Sequence, residues 1–286
     1  MSGVVNNRID ARFAQLRAQA RTALIPFITA GDPSIDATLA AMQAAVAAGV
    51  DLIELGVPFS DPMADGPVIQ KASERAIAAG TDARAVFALV RRFRDNDDET
   101  PVVLMGYLNP VEIHGREAYA RDAAAAGVDG LLLVDAPLEE AAPFQSLLAR
   151  YGLHQILLAA PTTVGERRRQ LAAMATGFIY YVAFAGVTGA AKLDAQALAA
   201  PVAELRALAT VPVVIGFGVR DPASAQAVGA LADGVVVGSA LVEQLATAVD
   251  AAAAANTAGT FLGGLRKALD AGSDCAASRL APRWRS

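Results

Sequence analysis

Short apolar runs recur along the chain, each followed by a turn containing Gly, Pro or Asp and then by an Ala-rich segment. The runs are rich in Val, Ile and Leu, and their length is typical of strands buried on both faces. Eight runs fit this description: 24–28, 52–56, 102–106, 131–134, 155–158, 178–182, 212–216 and 234–237. Strand and helix therefore alternate along the chain.

The segments between the runs are long enough to be crossover helices. The predicted helices are 35–48, 67–79, 82–95, 111–126, 138–151, 165–175, 195–209 and 222–230, followed by 240–254 and 258–273. Eight strand–helix repeats favour a closed (β/α)8 TIM barrel over an open doubly wound sheet.

The two ends of the chain add little to this barrel. Ile9, Phe13 and Leu16 have the spacing of a short amphipathic helix, which predicts an extra helix before the first strand. Linkers and breaks in composition are absent from the sequence, so we expect residues 1–286 to form a single TIM-barrel domain. About 276–286 should be a frayed tail.

Two carboxylates near the end of the second run have unlike surroundings. Glu54 lies among Leu and Ile, where its charge is poorly solvated, whereas Asp65 lies in a Gly/Pro loop with solvent and backbone N–H groups nearby. If Ile53 and Leu55 pack against helices, strand alternation turns Glu54 into the barrel. Such a pair suits acid–base chemistry. A buried structural Glu and a turn-capping Asp would show the same pattern, and residue chemistry alone leaves both interpretations open.

Glycine-rich loops follow the last three runs, at Gly186–Gly189, Gly216–Gly218 and Gly238–Ala240. TIM barrels commonly hold a phosphate with the loops after strands seven and eight. Glycine lets backbone N–H groups approach the anion, and Ser239 can begin a short helix whose N-terminus favours it. Tight turns explain any one of these loops, but their convergence predicts a phosphate site.

Aromatic residues stand at several strand ends and could border a flat apolar ligand, although barrel core is the alternative. They are Phe27, Tyr107, Tyr180 and Phe217, of which Tyr180 and Phe217 lie beside mouth-side loops.

Composition narrows the classes of function. Hydrophobic residues make up 54% of the chain and charged residues 19%, which suits a large core. A net charge of −5 without a basic cluster argues against nucleic-acid or membrane binding. The single cysteine, Cys275, and the separated His114 and His154 predict neither a disulfide nor a metal site. We expect a soluble cytoplasmic protein without a signal peptide.

Taken together, several motifs in this chain resemble those of the tryptophan synthase alpha subunit. The resemblance covers about residues 8–270, with the motifs in family order, and is most specific over Glu54–Gln70. The other motifs are Pro26–Pro33, Tyr180, Gly186–Gly189, Gly216–Gly218 and Gly238–Ala240.

The resemblance implies cleavage of indole-3-glycerol phosphate to indole and glyceraldehyde 3-phosphate in tryptophan biosynthesis, a retro-aldol reaction without metal or organic cofactor. Glu54 would protonate indole C3 and help remove the glycerol hydroxyl proton, and Asp65 would bind the indole N–H. The remaining family positions are Gly189, Gly218, Gly238 and Ser239 for the phosphate, and Phe27, Tyr180 and Phe217 for the indole.

The resemblance also implies a partner, the pyridoxal-phosphate beta subunit, which would take the indole through a tunnel in an alpha2-beta2 complex. Loops around 58–65 and 184–198 would close over the substrate. Two positions depart from the family pattern, Ala183 in place of a common Ser and Lys192 one place late, and we expect them to affect closure of the second loop.

Three alternatives remain at the level of the sequence. One is a self-sufficient indole-3-glycerol-phosphate lyase, and another is a non-catalytic phosphate-binding barrel that activates a partner. A barrel isomerase or epimerase would explain the glycine loops but not the pairing of Glu54 with Asp65.

Overall fold

Eight parallel strands close into a barrel in chain order, with β8 paired to β1. The computed structural model describes residues 7–182, 195–216 and 218–276, with side chains up to residue 272. The strands are β1 (Ala23–Thr29), β2 (Ile53–Gly56), β3 (Val102–Gly106), β4 (Gly130–Leu133), β5 (His154–Ala159), β6 (Ile179–Val182), β7 (Val213–Gly216) and β8 (Gly234–Val237). This arrangement confirms the (β/α)8 TIM barrel.

Helices surround the barrel between the strands and follow the last one. They are α1 (Arg8–Ala18), α2 (Ile35–Ala47), α3 (Pro67–Ala78), α4 (Ala83–Arg94), α5 (Leu108–His114), α6 (Arg116–Ala126), α7 (Ala141–Ala149), α8 (Gly165–Met174), α9 (Ala195–Leu208), α10 (Pro222–Gly229), α11 (Ser239–Leu245) and α12 (Ala251–Ala276). A 3-10 turn, Leu138–Glu140, precedes α7.

Two of the predicted helix boundaries are wrong. The segment 111–126 is two helices, because Gly115 between α5 and α6 adopts φ 90°, a left-handed conformation that ends a helix. The predicted break between residues 254 and 258 does not exist, and the chain instead turns before Asp250, whose carboxylate accepts a hydrogen bond from the Ala253 N–H at 2.7 Å. Packing overrides the turn-like Asn256 and Thr257, since α12 buries one continuous face: Ala254, Ala258, Leu262, Leu265 and Leu269.

The barrel has two apolar layers, which fix the direction of each strand side chain. Leu52 belongs to the cluster inside the barrel, whereas Ile53 and Leu55 pack in the layer between strands and helices. Helix α1 closes the lower end of the barrel, which is the end at which the strands begin. There the ring centroids of Phe13 and Phe178 lie 5.7 Å apart. The extra N-terminal helix is thereby confirmed.

A repeated aspartate ties the lower end of the barrel together. In three places an Asp that precedes a strand accepts a hydrogen bond of 2.8 Å from the first residues of a neighbouring strand, and each Asp is also paired with arginine. The pairs are Asp51 with Leu24, Asp129 with Val102, and Asp233 with Val213. This bracing is at the end opposite the loops that follow the strands, where TIM-barrel chemistry takes place.

The described helices include none that is both long and apolar enough to cross a membrane. Over the same part of the chain, His, Cys, Asp and Glu side chains form no group of three or more that could hold a metal ion.

Candidate active site

Glu54 lies in the middle of the barrel wall with its carboxyl group enclosed. The side chain is 3% exposed, and its Cα neighbours on the adjacent strands are those of Phe27 and Val103. Alternation along β2 turns it to the same inner face as Leu52. Neither carboxyl oxygen has a hydrogen-bond partner within the described structure. A buried carboxyl group without a partner favours its neutral form, and the structure therefore presents Glu54 as a proton-bearing acid.

Electrostatics point the same way. Burial, and to a smaller extent the negative charge of Asp65, together raise the pKa of Glu54 to about 8. At neutral pH the proton of this pair therefore resides on Glu54, while Asp65 loses its own proton first.

Asp65 lies in the loop between β2 and α3, and several hydrogen bonds fix its position. The Tyr107 hydroxyl donates to the Asp65 carboxylate at 3.0 Å and accepts from the Ala64 N–H at 3.0 Å. The Gln70 side chain donates to the Asp65 carbonyl oxygen at 2.9 Å. Burial raises the pKa of Asp65 and the Tyr107 hydrogen bond lowers it. The Asp65 carboxylate is therefore partly buried and already accepts one hydrogen bond, from the Tyr107 hydroxyl.

Tyr180 completes the group of interacting side chains at the barrel mouth. Burial, then the charges of Glu54 and Asp65, raise its pKa well above the ordinary value, so the phenol is neutral and lies within electrostatic reach of both carboxyl groups. The structure therefore brings together Glu54, Asp65 and Tyr180, which are widely separated in the sequence.

Glycines make room for two aromatic rings of the site. A Cβ atom added at Gly216 would lie 2.0 Å from the Tyr180 hydroxyl oxygen, and one added at Gly56 would lie 2.5 Å from Cζ of Phe27. Both distances are far inside van der Waals contact. Each ring therefore rests directly on the backbone of a neighbouring strand end.

Gly216→Ala is expected to lower kcat/KM for the reaction at this site by about tenfold or more and to destabilise the fold by about 1–3 kcal/mol, because the Tyr180 ring must move in a packed site. Gly264→Ala is the matched control, since its Cβ would meet nothing within 4 Å and Ala favours a helix. Steady-state kinetics and urea unfolding measure the two effects. A Gly216→Ala protein with unchanged kcat/KM would show that the Tyr180 ring position is unimportant.

Those predicted phosphate residues that belong to the described part of the chain lie around the same barrel mouth. Gly218, after β7, has φ 85°, which suits glycine. Gly238 precedes α11, of which Ser239 is the first residue, and a Cβ added at Gly238 would lie 3.6 Å from Cβ of Phe27. The β8 loop is therefore adjacent to the aromatic side of the site.

Other predicted positions lie outside the described residues. They are Gly189 and Phe217, the Gly186–Gly189 motif, Ala183, Lys192 and the tail beyond residue 276. Of the loop expected around 184–198, only the last residues are described, and they belong to α9, which begins at Ala195 as the predicted helix 195–209 does.

Sequence reasoning missed two residues that hold the Asp65 loop. Tyr107 was assigned only to the apolar surface at the end of the third strand, and Gln70 was assigned no contact. One signal was available, because the third strand neighbours the second, and a residue directly after it lies beside the loop that follows the second.

Known proteins with similar sequences and structures agree with this picture. The family model described as tryptophan synthase alpha chain matches residues 13–269. The tryptophan synthase alpha chain of Xanthomonas oryzae pv. oryzae is 58% identical over 264 residues, covering 92% of this chain and 98% of that protein. The crystal structure of tryptophan synthase subunit alpha from Legionella pneumophila has a TM-score of 0.86 and 42% identity, covering 93% and 99% of the two chains. A chain in the structure of the Pyrococcus furiosus tryptophan synthase a2b2 complex matches with a TM-score of 0.75 and 34% sequence identity, covering 86% of this chain and 97% of that one.

A closed (β/α)8 barrel whose mouth carries a buried carboxyl group and a second carboxylate has the arrangement of a TIM-barrel enzyme. The matches are to one family and span most of the chain. The chain belongs to the tryptophan synthase alpha chain family. Its reaction is accordingly the carbon–carbon lyase step of tryptophan biosynthesis that cleaves indole-3-glycerol phosphate.

Proposed function

We propose that Glu54 and Asp65 carry out this cleavage as a proton-transferring acid and a charge-stabilising anion. The observation that carries the proposal is the Glu54 carboxyl group, buried inside the barrel with both oxygens unpaired and its pKa raised to about 8. A structural glutamate would be expected to pair with a donor, and this one has none among the described residues. An enclosed acid that keeps its proton at neutral pH is suited to protonating a carbon atom.

The reaction balances with these two groups alone. Glu54 donates its proton to C3 of the indole ring, which becomes a cation with much of its charge at the ring nitrogen. Asp65 accepts a hydrogen bond from the ring N–H and stabilises that charge. The Glu54 carboxylate then takes the proton of the adjacent glycerol hydroxyl, the carbon–carbon bond breaks, and its electron pair returns to the ring. Indole and glyceraldehyde 3-phosphate leave, and Glu54 is protonated again.

The mouth of the barrel accommodates both ends of the substrate in this proposal. Phe27 and Tyr180 would border the indole, and Gly218, Gly238 and Ser239 would bind the phosphate. The support is adjacency, because Phe27 lies beside Glu54 on one side and beside Gly238 on the other. Gly189 and Phe217 would complete the two subsites.

Activity is expected to depend on pH through Glu54. The acid must carry its proton, so log kcat/KM should fall with a slope near −1 above pH about 8. Indole release measured over a range of pH, with binding of a phosphate-bearing substrate analogue followed in parallel, tests this expectation. A profile that stays flat to a pH two units higher would remove the proton-donor role from Glu54.

The partner in this proposal is a pyridoxal-phosphate beta subunit in an alpha2-beta2 complex, which receives the indole through a tunnel. The Pyrococcus furiosus relative was solved as an a2b2 complex with mutual activation. Assaying indole release by the purified chain with and without a beta subunit tests this assignment. Stimulation by the beta subunit supports it, whereas a full rate without any stimulation would indicate a self-sufficient lyase. Phosphate binding without cleavage in either assay would indicate a non-catalytic barrel.

The remaining parts of the proposal concern the chain as a whole. Residues 1–286 would form one domain, supported by a barrel whose strands run from the N-terminal to the C-terminal part of the chain. The protein would work in the cytoplasm, which suits an enzyme of amino-acid biosynthesis with a single cysteine.

A further inference from the structure

Tyr107 contacts the Asp65 loop with its hydroxyl group and with its ring. The residue directly follows β3 and is 4% exposed. Its hydroxyl donates to Asp65 and accepts from the Ala64 N–H, each at 3.0 Å, and its ring lies 5.1 Å from that of Phe59 with a tilt of 33°. One side chain on a neighbouring strand end therefore contacts the beginning and the end of the loop.

The two hydrogen bonds determine where the phenol proton points. The Ala64 N–H occupies one acceptor position of the Tyr107 oxygen, so the single O–H is left to donate to the Asp65 carboxylate. A donor of this kind stabilises the charged form of a carboxylate and fixes its orientation.

The phenol stays a donor over the working range of pH. Burial, followed by the charge of Asp65, raises the pKa of Tyr107 well above its ordinary value. Asp135, on the loop after β4, also raises it. The other titratable groups that act across the mouth are Glu54 and Tyr180, both of which favour neutral forms.

The backbone that carries Tyr107 is itself held in place. Tyr107 is the N-cap residue directly before α5, and the N–H of Leu108, the first residue of that helix, donates to the Asp135 carboxylate at 2.7 Å. Three successive loops of the mouth are thus joined, from Asp65 through Tyr107 to Asp135. This rigidity is what orienting a catalytic carboxylate requires.

We propose that Tyr107 is a positioning residue for the lyase reaction, whose hydroxyl aims the Asp65 carboxylate and keeps it charged while the indole ring becomes cationic. The inference rests on the role proposed above for Asp65. Tyr107 does not transfer a proton, and its whole effect passes through Asp65.

Tyr107→Phe is the direct test, since it keeps the ring against Phe59 and removes only the hydroxyl. A hydrogen bond to a charged group corresponds to a loss in kcat/KM of about 10- to 100-fold. The acid limb of the pH profile should move to higher pH, because Asp65 loses the donor that favours its charged form. That midpoint is independent of the folded fraction wherever this fraction does not change with pH, so unfolding is followed over the same pH range to confine the test to folded protein.

Tyr119→Phe is the matched control, because Tyr119 of α6 is also a buried phenol and packs against Phe87 of α4, away from the mouth. It should leave the pH profile unchanged. An unshifted acid limb together with unchanged kcat/KM in Tyr107→Phe would overturn the inference.

A double variant separates this inference from the proposal on which it depends. In an Asp65→Asn background, Tyr107→Phe should lower indole release by less than about threefold, because neighbours acting as one unit are not additive. Fully additive losses would overturn the inference. If Asp65→Asn alone kept near-normal activity, the role of Asp65 would fail first. If Asp65→Asn were inactive while Tyr107→Phe kept a normal rate and pH profile, the positioning role of Tyr107 would be rejected and the role of Asp65 would stand.

Discussion

Glu54→Gln is expected to lower kcat for indole release by about 10³-fold or more, while a phosphate-bearing substrate analogue still binds with little change. The amide keeps the size of the side chain but has no acidic proton, and a general acid contributes roughly 10²- to 10⁴-fold. Among the described residues no donor is hydrogen-bonded to either Glu54 oxygen, so none is in direct contact to take over its proton. The phosphate site proposed above lies in the loops after β7 and β8, which the substitution leaves intact.

Single-turnover indole release and analogue titration measure these two effects separately. Glu74→Gln makes the same chemical change on the exposed surface of α3 and should be fully active. Near-normal turnover by Glu54→Gln would transfer proton donation to another group.

The same substitution should change how stability depends on pH. The pKa of Glu54 is raised from 4.5 to about 8 in the folded protein, so the unfolded chain ionises first and the native protein loses stability as pH rises through this window. Glu54→Gln removes that loss. Its advantage in unfolding free energy should be small near pH 5 and should grow by on the order of 3 kcal/mol by pH 8.

Urea unfolding of both proteins across this range measures the difference, with Glu74→Gln as the variant in which no such widening is expected. A constant difference between Glu54→Gln and the natural chain would show that the carboxyl group is solvated rather than buried and neutral.

Asp65→Asn is expected to lower kcat/KM by about 10²- to 10³-fold, with most of the loss in kcat. The amide can still accept a hydrogen bond from the indole N–H, but it has no charge to set against the cation that forms in the transition state. The effect should be large because the group is partly buried, where charge is weakly screened.

A second consequence of Asp65→Asn appears on Glu54. Removing the Asp65 charge takes away one of the two causes that raise the Glu54 pKa, so the basic limb of the residual activity should shift to lower pH. Asp36→Asn on the exposed face of α2 is the matched control and should alter neither rate nor profile. If Asp65→Asn had an unchanged rate, charge stabilisation would belong to another residue.

The sequence predicted the strands of the barrel better than the ends of its helices. The strands came from short apolar runs, because strands buried on both faces leave few choices of residue, and the chain order of the barrel follows from alternation. The helix boundaries were less secure. Gly115 divides one predicted helix through its backbone conformation, and packing of α12 continues another through Asn256 and Thr257.

The candidate site shows the same division. The contrast between Glu54 and Asp65 was readable from neighbours in the sequence, since an apolar run and a Gly/Pro loop solvate charge differently. The contacts that tune them were not. Tyr107 lies 42 residues from Asp65 in the sequence and donates a hydrogen bond to it. The Tyr180 ring, on β6, packs against the backbone of Gly216 on the neighbouring strand β7.

The sequence by itself therefore determined the barrel, the two carboxylates and the family to which the chain belongs, because periodicity, local solvation and motif order are properties of neighbouring residues. Only the tertiary structure decided that Glu54 has no hydrogen-bond partner among the described residues and that Tyr107 donates a hydrogen bond to Asp65. It also decided that glycines at neighbouring strand ends leave room for the rings of Phe27 and Tyr180. Those facts depend on distances between strands that are remote in the chain, and closure of the barrel sets them.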